Sequence, residues 1–193
     1  MKNALRTKNL TRAKRQAGFT VVELLVVFAI FGVLIAAASY GLPLMFTSKG
    51  QSDTKFMDYA MECARTTYGN ENSYSGATIS VLANSNCFPA SLVTNKGTST
   101  ATVSNKYGGA ITVAAVNLIG TNDGLKFTDP GVPSDVCVER LKQSNRAVVV
   151  SVTPSGGSKV NVMTLGMQRP DMTLFNACGT STTATMEFSI TKN

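Results

Sequence analysis

The sequence has no histidine, and this absence bears first on catalysis. Without histidine, Ser–His and Cys–His nucleophile pairs are excluded, and so is the most common general base. The sequence also lacks a P-loop, a dinucleotide-binding fingerprint and a paired-carboxylate motif. We therefore predict that the protein is not an enzyme and that it uses no cofactor.

Cysteine is scarce, and its spacing excludes most metal sites. The four cysteines are separated by 24, 50 and 41 positions, so none forms a Cys-x-x-Cys pair that would bind zinc. We predict no metal site. All four cysteines follow a long apolar run that places them on the oxidising side of a membrane, where disulfides persist. Four cysteines allow three connectivities, which the sequence alone does not distinguish. They are Cys63, Cys87, Cys137 and Cys178.

The positive charge is concentrated in a short leader. Six of the 18 basic residues precede Gly18, and no acidic residue does. After Gly18 there are 12 basic and 11 acidic residues, so the charges nearly balance. Basic residues before an apolar run hold that end of the chain in the cytoplasm. Because no basic run with interleaved aromatic residues follows, we expect no direct binding of nucleic acid.

An uncharged stretch of 25 residues runs from Leu24 to Ser48 and predicts a transmembrane helix, since about 20 residues cross a bilayer. An ordinary signal peptide, cleaved after Ala37 or Ala38, is the alternative. That alternative leaves Glu23 unexplained, because a carboxylate at the bilayer centre costs about 2.5–3.5 kcal/mol.

The helical pattern continues beyond the apolar run, to about residue 69. Gly41 and Pro43 predict a kink, because proline lacks the amide hydrogen and clashes with the preceding turn. The second half is amphipathic and suits docking on a folded domain, with Asp58, Glu62 and Arg65 on its wet side. A plain anchor joined by a linker is the alternative, but only "SKGQSD" is available as that linker. The predicted docking residues are Phe56, Ala60, Cys63, Ala64 and Thr67.

The remainder of the chain reads as strands with one short helix. The first clear strand is 108–116, and "VPSDVCVERLKQ" at 132–143 has the proline start and charge order of a helix. The Ser/Thr-rich segment 94–105 reads as an exposed loop, and Asp129 and Asp171, beside prolines, read as turn residues. Further strands are predicted at 125–129, 146–153, 159–165 and 184–191.

The stretch "KRQAGFTVVELLVVFAIFGVLIAA" resembles the signature of a prepilin. A basic leader ends in Gly18, the next residue, Phe19, is apolar, and Glu23 is the fifth residue after that junction. The whole layout is similar to that of type IV pilins. The leader of 18 residues and the segments "SYSGATISVLANSNCFPASL" and "VPSDVC" look like the type IVb pilins, including those of conjugative plasmids.

The resemblance implies an α+β fold in which a long N-terminal α-helical spine, transmembrane in its first half, packs on a C-terminal antiparallel sheet. It divides the chain into a cleaved leader (1–18), a transmembrane and filament-core helix (19–48) and a pilin head (49–193) that includes the amphipathic half of the helix. It also implies a cysteine-bounded C-terminal segment. We therefore expect Cys137 to pair with Cys178, and Cys63 with Cys87.

The resemblance also gives Glu23 a role. A prepilin peptidase would cut between Gly18 and Phe19, and the new N-terminus of Phe19 would be methylated. In the family, the counterpart of Glu23 attracts that amine on a neighbouring subunit, which offsets the burial of the charge and fixes the register of the filament. The alternative is that Glu23 only complements the helix dipole, worth about 0.3–1 kcal/mol.

The function implied is the major structural subunit of a type IVb-like pilus, a homopolymer that serves adhesion, aggregation or conjugative contact. Its implied partners are the peptidase and the inner-membrane assembly machinery. The precursor would lie in the bacterial inner membrane and the product in an extracellular pilus. The alternatives are a minor pilin or a type II secretion pseudopilin, and a membrane-anchored binding domain that never polymerises.

Overall fold

The computed structural model describes residues 24–26, 28, 30, 55–179 and 182–192. The chain divides into two compact units, Met1–Pro43 and Leu44–Asn193. In the first unit the described residues are helical. Over the described ranges, no helix has both the length and the apolar character needed to cross a bilayer. Most of the predicted span at 24–48 lies outside these ranges.

The second unit begins, in its described part, with a helix that we call α1, residues 55–67. Apolar side chains recur on one side of α1 at helical spacing, and this side is buried in the core. The turns at 68–73 end the helix, as "YGNENSYSG" predicts. The buried residues of this side, continued into the turn, are Met57, Ala60, Met61, Ala64 and Tyr68.

Two more α-helices and two 3₁₀ turns follow. Thr78 caps the short helix α2, because its hydroxyl accepts a hydrogen bond from the Val81 amide at 3.3 Å. Pro133 precedes α3, which has Asp135 in its first turn and basic residues in its last, and the helix predicted at 132–143 is confirmed. The bounds are α2 Ile79–Asn84, α3 Ser134–Gln143, and 3₁₀ turns Ala90–Leu92 and Met172–Cys178.

In the described part of the chain, seven antiparallel strands form one sheet with the order β1-β2-β3-β4-β7-β5-β6. The α+β fold with an antiparallel sheet is thus confirmed, and the five strands predicted from the sequence are all present. The strands are β1 Val93–Thr94, β2 Thr102–Ser104, β3 Ala110–Val116, β4 Gly124–Pro133, β5 Val149–Pro154, β6 Val160–Met163 and β7 Thr183–Thr191.

The core lies on one face of the central strands. In β7 the inward residues Met186, Phe188 and Ile190 alternate with Glu187 and Ser189, as the twofold period of a strand requires. Phe188 pairs with residues of β4 and β5, so the last strand in chain order occupies the middle of the sheet.

One segment differs from its prediction. The stretch 94–105, expected to be an exposed loop, contains β2, and Val103 in that strand is fully buried. Serine and threonine dominate this segment, so a single valine does not give the alternating pattern that identifies a strand from sequence. The first strand of the sheet therefore precedes the predicted first strand at 108–116.

Candidate functional site

The residues predicted for processing and assembly lie outside the described residues. These are Gly18 and Phe19 at the cleavage junction, Glu23 in the apolar run, and Gly41 and Pro43 at the kink. The structure therefore bears on the head and on how helix α1 is held within it.

A disulfide fixes α1 to the segment that follows α2. Cys63, half-buried on α1, is bonded to Cys87, with 5.3 Å between the two Cα atoms. Thr67 Oγ1 lies 3.7 Å from the sulfur of Cys87. This is the pairing expected from the sequence, and it holds the chain between α1 and the sheet against the helix.

Arg65 joins the same helix to the sheet. Its Nε donates to the carbonyl oxygen of Thr191 at 3.3 Å, and a terminal nitrogen donates to the carbonyl oxygen of Arg146 at 2.9 Å. The other terminal nitrogen lies 3.4 Å from the Glu62 carboxylate, the ion pair that the helical spacing predicts. The two backbone acceptors carry no sequence signal, so the role of Arg65 in holding α1 to β7 emerges only from the structure.

A second disulfide bounds the C-terminal segment. Cys137 on α3 is bonded to Cys178 at the end of the 3₁₀ turn, again the expected pair. Asp171 begins that turn, and its carboxylate accepts from the Thr173 amide at 2.9 Å and from the Thr173 hydroxyl at 2.7 Å. These two bonds lower the pKa of Asp171. Its prediction as a turn residue is confirmed.

The prediction that Asp129 is also a turn residue is wrong. Asp129 lies in β4, is fully buried, and forms an ion pair with Arg140 of α3, which is 1% exposed. Asn105 donates to the same carboxylate at 2.5 Å and to the Pro130 carbonyl oxygen at 2.7 Å. Arg140 and Asn105 are 11 and 24 positions from Asp129 in the sequence, so no local sequence pattern predicts these contacts.

The contact of the β2–β3 turn with β4 depends on Gly109. A β-carbon at Gly109 would lie 2.1 Å from the Pro130 carbonyl oxygen, so only glycine fits there. Asn105 Oδ1 accepts from the amide of Gly109 at 2.8 Å and holds the turn closed. A buried polar network therefore ties this turn, strand β4 and helix α3 together.

Asp58 also departs from its predicted place. It is half-buried rather than fully on the wet side of α1. Burial raises the pKa of its carboxyl to about 6, and the positive charge of Arg146 partly opposes the shift. Its neighbour Tyr59 is 58% exposed. This part of α1 therefore carries a carboxyl group that titrates well above the usual range for aspartate.

The outer face of the sheet carries a cluster around Glu187. Lys126 lies 3.1 Å from its carboxylate, Ser151 donates at 3.0 Å, and Lys159 also donates to it. Burial raises the pKa of Glu187, but hydrogen bonds from these three side chains outweigh it and lower the pKa overall. Among the described residues, no three cysteine or acidic side chains converge in a way that would hold a metal ion.

A groove of about 560 Å³ opens between the end of α3 and the segment before the 3₁₀ turn of the C-terminal disulfide. Its floor is apolar, with Leu141 fully buried and Phe175 half-buried. Among the described residues that line it, the charged side chains are the cations Lys142 and Arg169. We call it the cationic groove, and its remaining lining residues are Ser144, Asn145, Gln168 and Pro170.

Two family models match the chain. Residues 49–191 match the family described as PilS N terminal. Residues 13–39 match the prokaryotic N-terminal methylation motif, a range that includes Gly18, Phe19 and Glu23. No curated protein sequence matches the chain.

Among solved structures, the chain is similar to the crystal structure of TcpA, a type IV pilin from the El Tor biotype of Vibrio cholerae. The two sequences are 11% identical, and the match covers 74% of this chain and 98% of that one with a TM-score of 0.49.

Proposed function

Because the chain belongs to the PilS N-terminal family and is a type IV pilin, we propose that it is the major structural subunit of a type IVb-like pilus. The observation that carries the proposal is the methylation motif at 13–39, which combines a basic leader, the Gly18–Phe19 junction and Glu23. Cleavage at that junction leaves the apolar run in the product, where it serves assembly rather than export alone.

In this proposal the chain has three parts. A peptidase removes residues 1–18 at the cytoplasmic face of the inner membrane, and the amine of Phe19 is then methylated. Residues 19–48 hold the precursor in the membrane and later form the filament core. Residues 49–193 form the head, and the family match that begins at residue 49 supports that boundary.

Assembly transfers the apolar helix from lipid to an equally apolar filament core, so little apolar surface meets water on the way. Glu23 pairs with the N-terminal amine of a neighbouring subunit and sets the axial register. The inner-membrane assembly machinery extracts each subunit, and contacts that do not close on themselves give an open helical filament outside the cell. The bend at Gly41 and Pro43 lets the spine adapt during packing.

Helix α1 is firmly held within the head. The Cys63–Cys87 bond joins α1 to the segment after α2, and two hydrogen bonds from Arg65 to the carbonyl oxygens of Thr191 and Arg146 join it to β7 and to the segment before β5. A force on α1 therefore reaches the rest of the head through covalent and hydrogen-bonded links. A binding domain on a plain tether has no need of such links, because a tether transmits no fixed orientation.

The test is the variant Glu23→Val, measured as sheared-filament yield relative to mature protein in the membrane. Removing the charge makes the span more apolar, so insertion and leader cleavage should persist. Filament yield should fall severely, and the variant should enter mixed filaments only at low stoichiometry when co-expressed with the wild type. A normal filament yield from Glu23→Val would refute the docking role of Glu23.

A matched control removes a carboxylate from the head. Glu71→Val replaces an exposed acid whose side chain makes no hydrogen bond within the described part of the chain. Filament yield should be unchanged. Electron microscopy and mass spectrometry of wild-type filaments separate the remaining alternatives: a major subunit dominates the filament, a minor pilin is a trace component, a pseudopilin forms only short periplasmic assemblies, and a non-polymerising anchor is absent.

A further inference from the structure

The loop between β3 and β4, residues 117–123, is closed by its own hydrogen bonds. The Asp123 carboxylate accepts from the amides of Leu118 at 2.8 Å and Ile119 at 2.9 Å. Asn117 Oδ1 accepts from the amide of Asn122 at 2.8 Å. The Asn122 carbonyl oxygen accepts from the Tyr74 amide at 2.8 Å, which joins the loop to the turn after α1.

This ordered loop presents an apolar side chain to solvent. Ile119 is 78% exposed, the largest exposure among the described large apolar residues. A single exposed apolar residue is ordinary on a protein surface, so its meaning depends on the loop that carries it and on the surface it could meet. Here the carboxylate of Asp123 accepts a hydrogen bond from the amide of Ile119 itself, so the loop backbone is anchored at the residue whose side chain faces solvent.

The cationic groove has the complementary features. Phe175, half-buried, is the apolar side chain of its floor that reaches solvent, with Leu141 buried beneath, and the volume of the groove exceeds that of one aliphatic side chain. At its rim, the side chains of Asn145, Gln168 and Arg169 make no hydrogen bond with the part of the chain that the structure describes. None of the residues of the loop 117–123 lines this groove.

We infer that the occupant of the cationic groove is the 117–123 loop of a second copy of this chain, with Ile119 on the apolar floor. The inference rests on the proposed function, because it names a contact between heads in the filament. An exposed apolar side chain and an apolar groove at different places on one chain make a heterologous contact, which repeats from copy to copy without closing.

The charges agree with this arrangement. Asp123 is the only charged residue of the loop. Hydrogen bonds from loop amides, of which that of Leu118 has the largest effect, lower the pKa of its carboxyl. The described residues that line the groove include two cations and no acid, and Lys142 also forms a solvated pair with Glu139 at 3.5 Å. Lys192, which lies in the same shallow pocket as Asp123, already donates to the Tyr68 carbonyl oxygen at 2.5 Å. The docked loop therefore brings a carboxylate to Lys142 and Arg169 as its isoleucine becomes buried.

The experiment is cysteine cross-linking in filaments of the full chain. A chain carrying both Ile119→Cys and Gln168→Cys should, after mild oxidation of sheared filaments, give a ladder of dimers, trimers and longer species on a non-reducing gel. Each single variant should give no ladder, since its new thiol meets no partner thiol. The matched control pairs Gln168→Cys with Val81→Cys, which replaces an exposed apolar residue of α2, and it should remain monomeric.

Wild-type filaments are the reference that distinguishes a failure of the proposed contact from a failure of the proposed function. If the wild type forms filaments and the double variant assembles without a ladder, the contact is wrong and the proposed function stands. If the wild type forms no filaments, the proposed function is wrong and the contact is withdrawn with it. Peptide mapping of the variants checks that the two native disulfides are intact.

If the double-cysteine chain fails to assemble, a second variant tests the contact. Ile119→Ser removes the apolar group from an exposed position and should not disturb folding, while Ile119→Val keeps most of it. Filament yield for the serine variant should fall by about tenfold or more, because an apolar contact is lost at every repeat of the interface. The valine variant should assemble nearly as well as the wild type. Normal yield from Ile119→Ser would overturn the inference.

Discussion

The buried pair of Asp129 and Arg140 should dominate the mutational sensitivity of the head. Both side chains are at most 1% exposed, so Arg140→Met leaves the Asp129 carboxylate in the core with Asn105 as its main donor. Removing one partner of a buried ion pair typically costs about 3–5 kcal/mol. Against a total stability of about 5–15 kcal/mol for a domain, that loss brings the head close to unfolding.

The double variant Asp129→Asn with Arg140→Met should be more stable than either single variant. No charge is then buried without its counter-ion, and the remaining penalty is one imperfectly satisfied amide, about 1–3 kcal/mol. The assay is urea unfolding of the mature chain in detergent with its disulfides intact. Tyrosine near-ultraviolet circular dichroism is the reporter, since the chain has no tryptophan.

Lys142→Met, on the same helix, is the control. Lys142 is about half exposed, and its pair with Glu139 at 3.5 Å is solvated, so the change should cost less than about 1 kcal/mol. A similar small cost for Arg140→Met would refute the view that the pair is a buried, mutually dependent unit. A double variant less stable than both single variants would refute it equally.

Three further outcomes are expected. Because burial raises the pKa of Asp58 to about 6 in the folded head against 3.8 ordinarily, folding stability should fall as pH rises through that interval, and Asp58→Asn should stabilise the head near pH 8 but not below about pH 3.8. An equal effect at both pH values would contradict this. Replacing Cys137 and Cys178 by serine should cost about 4 kcal/mol for a 41-residue loop, and unchanged urea unfolding would show that the bond adds little. Mass spectrometry should find a mature chain that begins at Phe19, and a start downstream of the apolar run would remove the pilin interpretation.

Sequence patterns predicted the elements whose signals are local. The alternation in 184–191 and the proline and charge order of 132–143 gave β7 and α3, since strand and helix periods are properties of neighbouring residues. The pairing of Asp129 with Arg140 was missed because its partners meet only after the sheet forms. The burial of Val103 was missed for the same reason, since strand β2 depends on its neighbours more than on its own composition.

The features of the candidate site likewise differ in whether a local sequence pattern predicts them. The junction at Gly18 and the acid Glu23 were predicted from a short contiguous motif. The cationic groove combines residues 141–145 with 168–175, and the exposure of Ile119 depends on the hydrogen bonds of its loop. Sequence reasoning missed both, because neither groove nor loop leaves a pattern in consecutive residues.

Because β7 lies in the middle of the sheet, the sheet is completed only by the last strand in chain order. This strand pairs with β4 on one side and with β5 on the other, so strands β1–β4 and β5–β6 are separate pieces until residues 183–191 arrive. A head that still lacks residues 183–191 therefore cannot complete its sheet. If the chain assembles as proposed, a partly exported subunit has no finished head to offer to a growing filament.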